Sequence, residues 1–443
     1  MFSFENIYKC YLACRKHKRN SNNQLEFEKD LILNLWQLKY DLDNKEYKIS
    51  KSICFLTSSP KLREVFASSF RDRIVHHILV RELEKYYEPK FIHDVYNNRK
   101  GKGIHQATKR CQKFMHSVGD DGYYLQLDIK GFFYNIDKNI LFMKIFNDLS
   151  KIDEAEAIVS KSKGYGALAP AIGEAKAVTS EKQVGNGALA PSNIKKILWL
   201  SNKIIYHNYT KNYIFQGDKS NLELLPPHKT LFKIPKSKGL PIGNLTSQFF
   251  ANIYMNEFDN WIKRKLKVKY YIRYVDDFVL FAKSLDTTAS ASSYIDGAKK
   301  STTCPRKSLD TTASASSVIK LQEYKREIEI YLSTLGLELR RDSKLQRFNQ
   351  GLDFLGYVIR PNYILVRKRV VNNYKVKKAR YLNEYERQKG KMSLVEIKEF
   401  LSVQSSFVGH IKHANSYNLK QKVGQFDDKK YINLICGSWS TQR

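Results

Sequence analysis

The sequence contains no run of about eighteen apolar residues, so a hydrophobic membrane-spanning helix is excluded. Its six cysteines include no Cys-x-x-Cys pair, and this points to ordinary thiols in a reducing, cytoplasmic setting. Neither these cysteines nor the ten histidines show metal-ligand spacing, so no zinc is expected. The stretch Met1 to Asn20 breaks its apolar residues with Lys9, Arg15, Lys16, Lys18 and Arg19, unlike a secretory signal. Acid is the scarcest property. Asp and Glu number 44 against 76 Lys and Arg, a net charge of +32. An excess of that size implies a polyanionic partner, and nucleic acid fits it better than a membrane. What is present is a core: 42% of the 443 residues are hydrophobic and 13% aromatic, which excludes a wholly disordered chain. The length suits one large multi-lobed domain or two to three smaller ones.

Apolar spacing predicts helices over Phe4–Asn44, Phe70–Tyr87, Asn139–Leu149, Asn193–Tyr209, Leu245–Leu266, Glu323–Leu335 and, in basic sequence, on to about Lys422. Extended segments are predicted over Lys48–Phe66, Tyr123–Ile129, Tyr270–Phe281 and Leu352–Leu365, with a tight turn at Val275–Asp277. The mixture reads as α+β. Two segments stand apart. Ser160–Pro191 holds the near-repeats GYGALAP and GNGALAP, and Ser284–Ser317 lies within two copies of KSLDTTASASS. Neither has a hydrophobic period that could pack, so both are expected to be surface loops.

The chemistry concentrates at Asp276 and Asp277, in YVDD between Ile272 and the apolar run Phe278–Phe281. Adjacent acids between buried strands are costly unless a cation compensates them. Oxygen-only donors favour Mg²⁺. A third acid, Asp128, ends the strand-like YLQLD. Three such acids could hold two ions about 3.5–4 Å apart, the arrangement of two-metal phosphoryl transfer.

Five blocks in order then resemble reverse transcriptases. They are KLREVF with FRDRIV (Lys61–Phe66, Phe70–Val75), LDIKGFF (Leu127–Phe133), GLPIGNLTSQ (Gly239–Gln248), YVDD (Tyr274–Asp277) and GLDFLGY (Gly351–Tyr357). The resemblance implies a right-hand polymerase fold with an antiparallel palm sheet and a helical thumb. It implies fingers within residues 1–115, a palm over 116–360 with a fingers return at 193–245, and a basic thumb at 361–443. The insertions then fall at 160–191 and 284–317 of the palm. Ile242 stands where most of the family has Gln, and Ser247-Gln248 where most have Ser-Pro. With GHIKHAN at Gly409–Asn415, these departures are similar to reverse transcriptases of diversity-generating retroelements, which copy an RNA with errors at adenines. Retron and phage-defence relatives share the other blocks. A non-catalytic RNA-binding relic is a third reading. No maturase or endonuclease segment is expected after Tyr357, which counts against an intron enzyme.

Roles follow from the resemblance. Asp128, Asp276 and Asp277 are the catalytic acids, with the Ile129 carbonyl completing the ligands of two Mg²⁺, for which Mn²⁺ is a substitute. Phe133 and Ile242 line the dNTP pocket. Arg63 holds the triphosphate by its bidentate fork, with Lys61 and Arg73 as further candidates and Lys344 assisting pyrophosphate departure. Gly243, Ser247, Gln248, Gly356 and Tyr357 meet the template–primer. Arg367–Arg380 carries seven basic residues and no acid, so Arg367, Lys368, Arg369, Lys377 and Lys378 are expected on the nucleic-acid backbone. Tyr374 and Tyr381 are spaced for one helix face, and the glycines of Asn98–His105 suit a close approach to phosphates. The implied partners are an RNA template, a DNA primer and dNTPs, with room for a small accessory protein of the element.

Overall fold

The computed structural model describes the backbone of residues 1–16, 21–57, 61–164, 191–283, 309–388 and 393–424, and the side chains of these except 153–164, 191–192, 309–317 and 422–424. It is a mixed helix-and-sheet protein. Among the described residues ten strands fall in three sheets. β1 (Ser52–Thr57) pairs antiparallel with β2 (Arg63–Ala67) and parallel with β4 (Tyr213–Phe215). β3 (Tyr123–Asp128), β5 (Tyr270–Tyr274), β6 (Asp277–Ala282) and β7 (Lys344–Arg347) form an antiparallel sheet of order β5-β6-β3-β7. β8 (Leu352–Phe354), β9 (Tyr357–Ile359) and β10 (Ile364–Val366) form a third, all antiparallel.

The central sheet is covered on both faces, which is why β6 reads as a continuous apolar run. Successive side chains alternate across a strand. Phe278 and Leu280 therefore join one core with Ile74 and Ile78 of helix Phe70–Tyr87 and Phe249 and Phe258 of helix Leu245–Arg264. Val279 and Phe281 join the other, with Cys111, Phe114 and Met115 of helix Ile104–Val118. Ser69 starts helix Phe70–Tyr87 by accepting a hydrogen bond from the Asp72 N–H, so the helix begins where an orphan donor finds an acceptor.

Most expected elements are present, with three differences. Helix Ile104–Val118 lies just beyond the glycine-rich stretch and was not anticipated. Its buried Ala107, Cys111, Phe114, Met115 and Val118 follow helical spacing. The edges of both low-complexity segments are helical: residues 160–164 continue helix Lys138–Gly164, and 309–317 open helix Leu309–Thr334. Residues without a packing period of their own are carried into a helix by the amphipathic sequence beside them. The rest of both segments, 165–190 and 284–308, lies outside the described residues. Finally, a division at 115 would cut helix Ile104–Val118, and one at 360 would part β9 from β10.

The three helices Lys368–Arg387, Leu394–Ile411 and Tyr417–Gly424 end the described chain. Cys10, Cys14, Cys54 and Cys111 are buried. Among the described residues no helix is long and apolar enough to cross a membrane.

Candidate active site

The β3–β6 ladder sets Asp128 directly opposite Asp277, and Tyr274 pairs with Asp277 across the β5–β6 hairpin. That register leaves Val275 and Asp276 as a two-residue loop. Val275 has φ +61° and Asp276 is absent from the positive-φ positions, the pattern of a type II′ turn. The first central position of such a turn ordinarily takes glycine. A β-branched residue there stores about 1–3 kcal/mol of strain. The Ile129 N–H donates to the Asp276 carbonyl at 3.2 Å, tying the loop to the end of β3.

The acids keep some accessible surface, as a reactive site must, yet burial dominates their titration. It raises Asp276 to about 6, with the Asp128 charge adding to the effect. Burial raises Asp277 to about 8 against a hydrogen bond from Gln126, whose Nε2 lies 3.2 Å from Oδ1. Asp128 is also raised by burial, with Arg340 opposing the shift. The Arg340 guanidinium donates to Asp128 at 2.9 Å and to Asp342 at 2.7 Å, and the Arg340 N–H donates to the Asp128 carbonyl at 2.8 Å. Crowded acids of this kind call for positive charge.

Two expected cations face them. The charge of Arg63 acts on Asp276 and that of Lys61 on Asp128, each favouring the ionised carboxylate. Phe133, half-buried in the short helix Phe132–Asn135, accepts the Leu240 N–H at 2.8 Å, while the Ile242 carbonyl accepts the Phe66 N–H at 2.9 Å. The loop carrying Ile242 and Gly243 therefore bridges β2 and the Phe133 turn. Gly243 has φ +117°, and a Cβ there would stand 2.7 Å from Val65 Cγ1.

Other expected residues lie elsewhere. Arg73 sits in helix Phe70–Tyr87, where its charge acts on buried His76. Lys344 is exposed on β7 opposite Gln126, and it is Arg340, not Lys344, that reaches Asp128. Ser247 is only 2% exposed, while Gln248 is half-buried. Gly356 forms the β8–β9 turn with Leu355, and Tyr357 opens β9. The Tyr357 ring is buried and stacks on His410 at 4.2 Å, and its hydroxyl donates to the His410 carbonyl at 2.8 Å. Arg367 is held by Asp353 at 2.8 Å. Lys368, Arg369 and Lys377 are exposed. Lys378 shares the packed face with Tyr374, and burial pushes its ammonium down to about 8. Tyr374 stacks on Phe407 at 3.9 Å and Tyr381 tilts against Phe400, so both tyrosines serve packing between helices.

Sequence reasoning missed Arg340, Gln126 and the groups beneath the turn. Arg273 of β5 is fully buried and pairs with Asp259, Nη2 to Oδ2 at 2.6 Å and Nε to Oδ1 at 2.8 Å. A lone Arg inside the apolar run of β5 was the available signal, since a buried charge requires a partner.

The Asp128 and Asp276 carboxylates are oxygen donors that suit a hard divalent cation, and the main chain of Ile129 is tied to the same turn through its N–H. Among the described residues no three His, Cys, Asp or Glu side chains converge as a ready cage. The donor set is therefore a pair of acids, and it fits an ion that draws further ligands from a substrate.

Residues 200–359 match the family model of reverse transcriptase (RNA-dependent DNA polymerase). The match contains Asp276 and Asp277, and Asp128 reaches them from outside it through the β3–β6 ladder. No curated protein matches the chain. Among solved structures the chain is similar to telomerase from Candida albicans in complex with a TWJ fragment of telomeric RNA. That similarity has 11% identity, a TM-score of 0.35 and covers 92% of this chain. The chain spans only 63% of that telomerase chain, and a likeness of this size fixes neither fold nor function. The family match, in contrast, supports a right-hand polymerase-like fold. Residues 200–359 are thus similar to a reverse transcriptase domain, the catalytic domain type of a nucleotidyltransferase.

Proposed function

We propose that the protein is an RNA-directed DNA polymerase, extending a DNA primer along an RNA template by attack of the primer 3′-hydroxyl on a dNTP. The observation that carries this reading is the meeting of Asp128 with the Asp276–Asp277 turn inside one antiparallel sheet. Asp128, Asp276 and the Ile129 carbonyl would hold Mg²⁺, or Mn²⁺ in its place, with Asp277 beside them. When bound, such ions lower the pKa of the attacking hydroxyl and stabilise the leaving pyrophosphate. Arg340, which donates to one oxygen of Asp128, would share that carboxylate with such an ion or give up its hydrogen bond. Arg63 and Lys61 bind the triphosphate, and Phe133 packs against the sugar and disfavours a 2′-hydroxyl. Exposed Lys368, Arg369 and Lys377 contact the nucleic-acid backbone, which makes binding steeply salt-dependent. In this reading β1, β2 and β4 belong to the fingers, the β5-β6-β3-β7 sheet to the palm and the C-terminal helices to the thumb.

The finer reading is an error-prone enzyme of a diversity-generating retroelement. Ile242, Ser247-Gln248 and the Gly409–Asn415 motif support it. Ile242 offers methyl groups where an amide would hydrogen-bond, so a correct pair gains less over a wrong one. Losing one such contact forfeits roughly ten- to two-hundredfold in discrimination.

The test is primer extension on a defined RNA, with the cDNA sequenced at every template base. Frequent errors opposite adenines, partly corrected by Ile242→Gln, are expected; the adenine preference comes from the resemblance alone. Accurate cDNA would move the protein to the retron-like or phage-defence enzymes. RNA binding without extension would make it a relic.

A further inference from the structure

Val275 is held in its strained conformation from both sides. The Asn97 side-chain oxygen accepts the Val275 N–H at 3.1 Å, and Arg273 Nη1 donates to the Val275 carbonyl at 2.9 Å. Both clamps are themselves fixed. The Asn97 carbonyl accepts from Asn252 Nδ2 at 2.9 Å, and Arg273 Nη1 lies 3.4 Å from Asn252 Oδ1. Asp259 takes the other edge of the guanidinium and also accepts the Tyr271 hydroxyl at 2.7 Å. The main chain joins in, since the Arg273 N–H donates to the Asp94 carbonyl and the Tyr96 N–H to the Arg273 carbonyl, each at 3.0 Å. All four side chains are buried, Asn97 to 2% exposure and Asn252, Asp259 and Arg273 to none.

A network like this is costly to bury and is poor evidence of stabilisation in itself. Its aim is informative. Two of its donor and acceptor groups end on the backbone of the one non-glycine residue that sits at a glycine position in the turn. The residue after it is Asp276.

We infer that Asn97 and Arg273 are positioning residues that force Val275 to φ +61° and thereby set the Asp276 carboxylate against Asp128. The inference rests on the polymerase reading for its catalytic consequence, although its conformational part does not. Glycine would adopt the turn with no clamp. Valine needs one, and losing the Asn97 contact lets the loop relax toward conformations in which Asp276 turns away.

The experiment compares wild type with Asn97→Ala, Val275→Gly and the double variant. Two readouts are used: single-turnover extension with template–primer affinity, and amide hydrogen exchange at residue 275. Asn97→Ala should slow extension about tenfold, the usual worth of one such bond, with template–primer affinity unchanged. It should speed exchange at Val275 by a similar factor. In the Val275→Gly background the same substitution should slow extension about twofold or less, because the strain it restrains is gone. A loss unspecific to the turn, such as general unfolding, would slow both backgrounds equally and overturn the inference. So would wild-type exchange at Val275 in Asn97→Ala. Absence of extension in wild type would instead sink the polymerase reading, and exchange at residue 275 would still decide the clamp.

Discussion

The sheet that carries the three aspartates and the C-terminal helix pair are held by opposite means. The sheet has apolar cores on both faces, and a buried ion pair lies under its turn. The helices Lys368–Arg387 and Leu394–Ile411 share a thin seam of Tyr374, Phe407 and Ile411. They reach the rest of the protein through contacts at the β8–β10 sheet and at the start of helix Ile104–Val118. His410 stacks on Tyr357, His413 stacks on His105 at 3.7 Å, and Asn415 exchanges hydrogen bonds with Ile364 at 2.7 and 3.0 Å. Chemistry needs positions fixed to a fraction of an ångström, whereas a surface that follows a sliding duplex needs only charge and reach. In the proposed reading the two regions divide those demands.

The largest expected effect falls on the rigid side. In the proposed polymerase reading Asp128→Ala or Asp276→Ala removes a metal ligand, and extension should drop by at least about a thousandfold. RNA affinity, measured by filter binding, should stay near wild type because it depends on the basic helix. A drop in both together would mean that the sheet and the helices are not separable in function.

Next comes stability. Arg273→Ala leaves Asp259 buried without its partner and should cost about 3–5 kcal/mol. Because Arg273 lies inside the doubly covered sheet, the whole cooperative transition should shift in a thermal melt. Tyr374→Ala removes one ring of a small satellite cluster, and its cost should appear as local opening. Hydrogen exchange should quicken in the two C-terminal helices while the main melting transition barely moves. If Tyr374→Ala lowered the main transition as much as Arg273→Ala, the contrast between the regions would fail.

The same contrast explains what the sequence revealed. Asp276 and Asp277 were legible because adjacent acids inside an apolar strand pair have few bland explanations, and Asp128 because it ends an alternating strand. The strands and most helices were legible by period. Partners distant in the chain were not. Arg340 meets Asp128 and Asn97 meets Val275 only because strands from separate segments align. Lys344 was the expected cation, yet the β3–β7 register sets it opposite Gln126 while Arg340 reaches Asp128. In the helices the reverse error arose. Basic residues were read as one surface, although a helix has an inner face, and Lys378 lies on it beside Tyr374.

The smallest expected effect concerns the joint between the regions. Burial lowers the pKa of His410 and of His105, against a weaker opposing hydrogen bond from His410 to the Gly356 carbonyl. The charges facing the joint are those of His413, which acts on both rings, and of Lys109 from helix Ile104–Val118, which acts on His105. All of them disfavour protonation. A histidine whose folded pKa is depressed holds fewer protons folded than unfolded. Its contribution is therefore intact above the ordinary value of 6.5 and is lost as the pH falls below it toward the folded value. Between about pH 7 and pH 5 the docked joint should weaken, and exchange in helix Leu394–Ile411, corrected for the intrinsic pH dependence, should rise by a few-fold. His410→Phe keeps a ring against Tyr357 and removes the charge, so its exchange should depend less on pH. The central sheet packs against the helix carrying buried His76, whose folded pKa burial also depresses, so its own pH response should be the same in wild type and in His410→Phe. A sheet whose pH response changed with that substitution would mean that one cooperative unit spans both regions, and the division of labour between them would have to be abandoned.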